Sequence, residues 1–236
     1  MVRVAVIITV LCLTFGVANA QFNSFKHLSM DMQSKSAAKG FVKTVDAKIL
    51  YSADGSMITE FAEPVNTTVL ANTKGDIRIY NRAENSVYTE SNYLFSSEHS
   101  QLFYFLSNQS FDMGLSNAKF TQSNVRFEEG LMISEWLPPA EMAASLSKVE
   151  LVTEEGRPIY MAYFGQDGRV TTKTYYSDYE SVSHQTAFPS RITQITFSSP
   201  YDSAIIRTIY SNVATDNAAN KGLLDFQIPT DAKSIN

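Results

Sequence analysis

The sequence predicts a mainly β protein in which one large antiparallel sheet takes up most of the chain. Beyond residue 27, apolar and polar residues alternate with a period of two, as they do in strands that present two different faces. Threonine, tyrosine, valine and isoleucine fill these runs, which suits a pleated surface. Glycine-containing turns separate the runs, and short connections favour antiparallel neighbours. We therefore expect a meander of about 10–11 strands.

The predicted strands follow one another with few interruptions. They cover residues 28–32, 45–51, 57–61, two segments within 68–81, and then 131–136, 148–153, 158–164, 169–176, 191–198 and 204–211. Turns are predicted at 53–56 and 166–169, which both contain Asp-Gly, and at Gly75, Gly130 and Gly156. No repeat, low-complexity segment or linker divides the chain, so residues 21–236 are predicted to form one domain.

Helix signals are few. Ser96 or Ser97 is a candidate N-cap for a helix that runs to Asn108, with Leu102, Phe105 and Leu106 on one face and Phe103 beside them. A second short helix is predicted over residues 140–146, because Pro138-Pro139 suits a helix start. Near the N-terminus, helix is limited to residues 22–26 at most.

The first 20 residues have the three parts of a secretory signal. Arg3 precedes an apolar run from Val4 to Val17, and Ala18-Asn19-Ala20 supplies the small residues of a cleavage site. The only cysteine, Cys12, lies inside this run, so the mature chain is expected to contain neither disulfides nor a cysteine metal site. An exported chain without disulfides fits the periplasm of a Gram-negative bacterium.

Composition and motifs argue against several functions. The formal net charge is −5 and the basic residues are scattered, which argues against nucleic acid as a partner and against electrostatic docking to anionic lipid. His27, His99 and His184 have no metal-ligand spacing, and the chain lacks a G-x-S-x-G elbow, a phosphate loop and a dinucleotide fingerprint. The pairs Glu128-Glu129 and Glu154-Glu155 precede glycine, as solvated turn residues do. We expect no enzyme activity, no metal and no cofactor.

Several strands are apolar on both faces. In residues 158–164, Ile159, Met161 and Tyr163 alternate with Tyr160, Ala162 and Phe164, although a one-sided sheet has one polar face. Two structural explanations fit: a covering helix, or the packed core of a closed barrel. A functional explanation fits as well, namely a sheet that curves around a hydrophobic cavity. The scarcity of helices favours the cavity.

The segment from Ala47 to Asn81 resembles the core of the periplasmic lipoprotein carriers, the LolA-like family. Its order is strand, turn, strand ending near a proline, strand, glycine turn, and a strand that ends in Tyr80-Asn81. Val69–Ala71, Gly75, Ile77 and Ile79 fit the family pattern. Residues 224–229 (LDFQIP) resemble the closing strand of the family, and residues 95–106 fall where the family carries a short helix across the barrel mouth.

This resemblance implies an open, unclosed antiparallel β-barrel with a few short helices as a lid, whose apolar interior holds acyl chains. It implies lipoprotein acyl chains or another lipid as ligand, an inner-membrane transporter and an outer-membrane receptor as partners, and a monomer. A non-catalytic envelope module that docks a protein partner on the curved sheet is the alternative. The chain departs from the carriers in its short N-terminal segment and in lacking an arginine within residues 51–54. The candidate cavity and lid residues are Ile49, Met57, Phe61, Val69, Ile77, Ile79, Leu102, Phe105 and Leu106.

Overall fold

Strands make up most of the chain in a computed structural model, which describes residues 25–183, 186–199 and 202–235. The mainly β prediction is confirmed. The predicted signal segment, Cys12 and His184 lie outside the described residues. Of the segment 22–26, only Phe25 and Lys26 are described, and neither is helical.

Fourteen strands are described. They are β1 His27–Ala38, β2 Phe41–Ser52, β3 Met57–Phe61, β4 Thr67–Ala71, β5 Asp76–Asn81, β6 Ser86–Ser91, β7 Thr121–Glu128, β8 Leu131–Leu137, β9 Lys148–Glu154, β10 Arg157–Phe164, β11 Val170–Ser181, β12 Ala187–Ser199, β13 Asp202–Thr215 and β14 Lys233–Ile235. Two α-helices are present within the same residues, α1 Gln101–Leu106 and α2 Lys221–Leu224. Short 3₁₀ turns occupy Tyr93–Phe95, Ser97–His99 and Asp216–Ala218.

One sheet contains all of these strands, in the order β14-β6-β5-β4-β3-β2-β1-β13-β12-β11-β10-β9-β8-β7. Apart from β14, the sheet consists of two meanders, β1–β6 and β7–β13. The antiparallel pairing of β1 with β13 joins them. The two outermost described strands, β7 and β14, do not pair with each other. The sheet is therefore open, as the resemblance to the LolA-like carriers implied.

The connection between the two meanders, residues 92–120, carries α1 and lies on one face of the sheet. The Phe103 ring packs 6.4 Å from that of Tyr51 on β2, and the Phe105 ring packs 5.4 Å from that of Tyr176 on β11. In a flat sheet these two strands, four places apart, would be separated by about 19 Å. One six-residue helix contacts both strands, as it can on the inner side of a curved sheet. We call the face turned towards α1 the concave face.

The C-terminal segment, residues 219–231, covers part of the opposite, convex face. Leu223 and Ala219 pack with Leu50, and Ile58 lies against this group. Further along, the ring of Phe226 lies 6.3 Å from that of Tyr80. The chain then ends in β14, which pairs with β6 in parallel. This covering layer explains why the strands β2 to β5 are apolar on their convex side as well.

Three strands were missing or misplaced in the sequence-based prediction. β6 and β7 were not predicted because their sequences, SVYTES and TQSNVRFE, are polar. A polar strand is stable at β7 because it forms an edge of the sheet, and seven of its eight residues are exposed. The prediction of a closing strand over residues 224–229 is wrong: these residues follow α2 without strand structure, and the last strand is Lys233–Ile235.

The helix predictions were partly correct. The segment from Ser96 to Asn108 is helical only over Gln101–Leu106, with a 3₁₀ turn capped by Ser96 before it. The prediction of a helix over residues 140–146 is wrong. Turns occupy that segment, with hydrogen bonds from the amides of Ala143 and Leu146 to the carbonyls of Pro139 and Met142. The five predicted glycine turns are present, with positive φ at Gly55, Gly75, Gly130, Gly156 and Gly168.

An ion-pair network on the convex face ties β7, β8 and β9 together. Glu135 accepts from Lys148 Nζ at 2.8 Å and from Arg126 Nη1 at 3.1 Å, and Arg126 also contacts Glu150 at 3.3 Å. The hydrogen bond from Lys148, with the charge of Arg126 as a lesser cause, holds the pKa of Glu135 below its usual value of 4.5.

Replacing Glu135 by glutamine is expected to remove a pH-dependent part of the stability. A carboxyl whose pKa is lowered in the folded state stabilises above its unfolded pKa, and this contribution is lost as the pH falls through the folded value. The free energy of unfolding of Glu135→Gln should therefore fall below that of the wild type at pH 7, by under about 1 kcal/mol, and converge with it as the pH falls through the lowered folded-state pKa. Urea titrations at several pH values measure this. Glu129→Gln, in an exposed turn, is the control, and a pH-independent difference for Glu135→Gln would contradict the prediction.

Candidate functional site

Strand register assigns six of the candidate residues to the concave face. Residues directly opposite each other in antiparallel strands share a face. One row across β2, β3, β4, β5 and β6 contains Ile49, Thr59, Val69, Ile79 and Tyr88. A second row contains Tyr51, Met57, Ala71, Ile77 and Glu90, and Phe61 lies opposite Ala47 in a third. Tyr51 contacts Phe103 of α1, which shows that these rows face the helix.

The intervening residues of β5 point the other way. Tyr80 is buried on the convex side against Phe226, and Arg78 is exposed there. Its neighbours Ile77 and Ile79 are partly exposed on the concave side. β5 is therefore apolar on both faces for two different reasons: one face is covered by the C-terminal segment, and the other forms part of the concave wall.

The candidate lid residues lie inside the concave face. Leu102, Phe105 and Leu106 are all buried, Phe105 with 1% and Leu106 with 0% of its surface exposed. Phe103, predicted to lie beside them, is buried as well. We call these four side chains the α1 plug. They pack with residues of both meanders, including Ile49 and Met30 on one side and Met161 and Phe188 on the other.

The candidate residues fall into two groups. Ile49, Leu102, Phe105 and Leu106 belong to one buried cluster, with Met57 packed against its border. The others lie further out on β3, β4 and β5 and are partly exposed. Together with Tyr88 of β6 they form what we call the open apolar patch: Phe61, Val69, Ile77, Ile79 and Tyr88. The patch and the plug-covered region are adjacent parts of one wall.

Two serine hydroxyls fasten the start of the α1 segment to the rim of the sheet. Ser97 Oγ donates to the carbonyl of Gly55 at 2.6 Å, and Ser96 Oγ donates to that of Thr73 at 2.9 Å. Both acceptors lie in hairpin turns next to the concave face. In the described chain the side chain of Ser100 makes no capping bond to α1. A six-residue helix is marginal on its own, so α1 depends on its packing.

Tyrosine hydroxyls contribute polarity to the concave wall without charge. Burial, with a lesser effect of Asp54, raises the pKa of Tyr51 to about 12. Burial also raises the pKa of Tyr210 to about 12 and raises that of Tyr176 strongly. These groups stay neutral at any physiological pH, so they are compatible with an apolar ligand.

Polar features outside the concave wall have structural partners. An open cleft of about 470 Å³ lies at the first meander, where Asp31, Lys48, Glu60 and Arg82 are among its lining residues. Arg82 bonds there to Asn66 and Thr68, both at 2.8 Å, and pairs with Glu60 at 3.3 Å.

The two described histidines have different partners. His27 Nδ1 is 3.2 Å from Ser52 Oγ, and His99 Nε2 is 3.1 Å from the carbonyl of Tyr93. Over the residues that the structure describes, no three histidine, cysteine, aspartate or glutamate side chains are grouped to hold a metal ion. The described helices also include none that has both the length and the apolar character needed to cross a membrane.

Sequence reasoning missed several residues of the concave wall. Phe188 is 0% exposed and packs against Tyr210, but the predicted strand began only at residue 191, after Pro189. The proline is accommodated because the pairing of β12 with β13 begins at Arg191, so that Pro189 pairs with β11 alone. Tyr88 was missed because its strand, β6, was not predicted. The alternation of Val87 and Tyr88 was the signal that could have indicated this strand.

The chain is similar in structure to several solved bacterial proteins. A DUF1329 family protein from Desulfovibrio piger superposes with a TM-score of 0.56 and 14% identity, covering 84% of this chain and 89% of that one. A putative outer membrane lipoprotein-sorting protein domain from Vibrio parahaemolyticus gives 0.57 and 13%, covering 85% and 89%. A LolA superfamily protein from Nitrosomonas europaea gives 0.53 and 12%, covering 86% and 94%. The fold is LolA-like.

The LolA-like fold rests on structure rather than on sequence. No protein-family model matches the sequence, and no curated protein matches it either. Identities of 12–14% show a shared fold. The predicted resemblance is confirmed at that level: an open, curved, mainly β sheet with short helices, of the type found in a lipoprotein-sorting domain.

Proposed function

We propose that this protein is a periplasmic carrier that binds the acyl chains of lipoproteins, or of another lipid, on its concave face and carries them towards the outer membrane. The observation that carries the proposal is the open apolar patch. Val69, Ile79 and Tyr88 lie directly opposite one another on β4, β5 and β6, and Ile77 and Phe61 lie in the adjacent rows. All five side chains are partly exposed, and the patch continues into the region under the α1 plug. The LolA-like fold supports this assignment.

The physical driving force is burial of hydrocarbon. Each methylene removed from water contributes about 0.8 kcal/mol, so a dozen methylenes contribute on the order of 10 kcal/mol before the costs of association. The patch offers an apolar surface for the first part of a chain. The plug occupies the rest of the wall with four apolar side chains of comparable character. No covalent chemistry is required.

Entry of a longer chain requires the α1 plug to move. Replacing the plug by an acyl chain should change the free energy little, because acyl methylenes then cover the wall in place of apolar side chains. The short helix is stabilised by this packing, whereas Ser96 and Ser97 fasten its start to the rim. We propose that α1 swings about this rim, which allows uptake and release without unfolding of the sheet.

Polar substitutions in the patch are expected to weaken lipid binding. Replacing Ile77 and Ile79 together by asparagine removes two aliphatic side chains from the wall, and should raise the Kd for a dansyl-labelled fatty acid about tenfold or more. Fluorescence titration of the exported protein measures this. Arg78→Asn combined with Thr89→Asn changes the same hairpin on its convex face and is the matched control. Equal effects of the two pairs would place binding elsewhere.

Native cargo provides a second test of the proposal. The protein, purified from the periplasm of a Gram-negative host and extracted with organic solvent, should yield lipid or acylated peptide by mass spectrometry. A protein without extractable lipid that also does not bind the labelled fatty acid would contradict a carrier. That result would favour a non-catalytic module that docks a protein partner, a function with which the filled region under the α1 plug is compatible.

A further inference from the structure

The tip of the β1–β2 hairpin exposes two large apolar side chains. Phe41 is 81% exposed, the highest value among the large hydrophobic residues described, and Val42 is 73% exposed. They follow the turn at Lys39-Gly40, where φ is positive at both residues. A Cβ atom placed on Gly40 would have no neighbour within 4 Å, so the space around the turn is open, although β1 pairs with β13 as far as Ala37 and Ile205.

The two side chains point to opposite faces of the hairpin. Phe41 pairs with Ala38 and Val42 pairs with Ala37, and successive residues of a strand alternate between faces. One packed layer would cover only one of the two faces. A medium that surrounds the tip covers both, and the boundary between lipid headgroups and acyl chains is such a medium.

The hairpin is basic, although the chain as a whole is acidic and the scatter of its charges along the sequence argued against docking to anionic lipid. Between Asp31 and Asp46 the only charged residues are Lys35, Lys39 and Lys43, whereas the formal net charge of the chain is −5. The neighbouring strand β13 adds Arg207 opposite Lys35. All four cationic side chains are exposed. This charge is complementary to anionic lipid headgroups.

We infer that the β1–β2 hairpin docks the protein on an anionic membrane surface, with Phe41 and Val42 inserted below the headgroups and the lysines bound to phosphates. β1 is twelve residues long, so the tip lies on the order of 35 Å from the end of the sheet at which α1 is fastened. Docking therefore leaves α1 free to move. The inference goes beyond cargo binding and does not depend on it.

Vesicle co-sedimentation of the exported protein tests the docking surface. Binding is expected to vesicles of phosphatidylcholine with one quarter phosphatidylglycerol, and to be weaker with phosphatidylcholine alone. Phe41→Ser combined with Val42→Ser should lower the partition coefficient about tenfold or more. Lys39→Gln and Lys43→Gln should each lower it about fivefold at low salt, and less at high salt. Because these side chains are exposed, the variants should fold normally.

Leu94→Ser is the matched control, since Leu94 is 76% exposed and belongs to the α1 end of the molecule. It should bind vesicles as the wild type does. Absence of wild-type binding to the phosphatidylglycerol vesicles would overturn the inference, and so would tip variants that bind unchanged. The tip variants should keep their affinity for the labelled fatty acid, so that failure of docking is distinguishable from failure of cargo binding.

A fluorescence measurement locates the inserted residue. Trp136 is the only tryptophan of the chain and is 4% exposed, so its emission should be insensitive to lipid. In Phe41→Trp, vesicles of brominated phosphatidylglycerol should quench and blue-shift the added emission while the Trp136 signal persists. An unquenched signal from position 41 in sedimented protein would show that the tip does not enter the bilayer.

Discussion

Replacing Phe105 by alanine is expected to lower the free energy of unfolding by about 3–5 kcal/mol, because it removes a buried phenyl ring from the centre of the concave wall. The Phe105 ring packs 5.4 Å from Tyr176 and 6.2 Å from Tyr179, both on β11. For a chain of this size the melting temperature should fall by about 6–20 °C. Urea unfolding followed by the fluorescence of Trp136 measures the change.

Phe111→Ala is the control for this experiment. Phe111 lies in the same connection between the two meanders but is 65% exposed, so its truncation should change stability by less than about 0.5 kcal/mol. Similar losses in the two variants would mean that α1 does not pack as described. The carrier proposal adds a second expectation: Phe105→Ala should bind the labelled fatty acid more tightly, because a weaker plug competes less with the acyl chain.

Gly75→Ala is expected to lower the free energy of unfolding by about 2–5 kcal/mol. Gly75 has a φ of 87°, and a Cβ atom there would lie 2.3 Å from the carbonyl oxygen of Asn92 and 2.6 Å from its carbonyl carbon. The backbone at Asn92 leads into the α1 segment and its amide donates to the carbonyl of Gly75 at 3.0 Å. The clash therefore involves backbone on both sides and has no flexible group to relieve it.

Gly130→Ala separates the clash from the conformational strain. Gly130 has a φ of 85°, almost the same as Gly75, but a Cβ atom there would have no neighbour within 4 Å. At this position only the strain of the left-handed conformation should lower the free energy of unfolding, by about 1–2 kcal/mol. The difference between the two variants, about 1–3 kcal/mol, measures the close approach of the two backbones. Equal losses of stability would contradict the packing of Asn92 against the β4–β5 turn.

Local signals in the sequence account for the elements that were predicted well. The alternation in β2, β3, β5 and β9 to β13, together with the Asp-Gly turns, is encoded by neighbouring residues, so the strands and their facing can be read directly. β7 was missed because an edge strand in water does not need apolar residues. The segment 140–146 was misjudged because Pro138-Pro139 starts turns as readily as helices.

In the candidate site, too, some properties follow from neighbouring residues and others do not. Ile77 and Ile79 were assigned to one face by alternation, and their register with Val69 follows from the short turn that contains Gly75. The extent to which each residue is covered could not be predicted. That property depends on where residues 92–120 return to the sheet, and on the C-terminal segment, which packs on strands far away in sequence.

The sequence by itself determined a mainly β chain with turns at defined glycines and two-faced apolar strands, because period and turn chemistry act over a few residues. Only the tertiary structure decided that the two meanders join through β1 and β13, where Asn212 donates to Asp31 at 2.7 Å across 181 positions. Against the sheet that this junction completes, Phe105 packs with residues of both meanders, while Ile77 and Ile79 stay partly exposed. Such long-range pairing has no local signature, since it follows from the apolar area that the whole chain can bury.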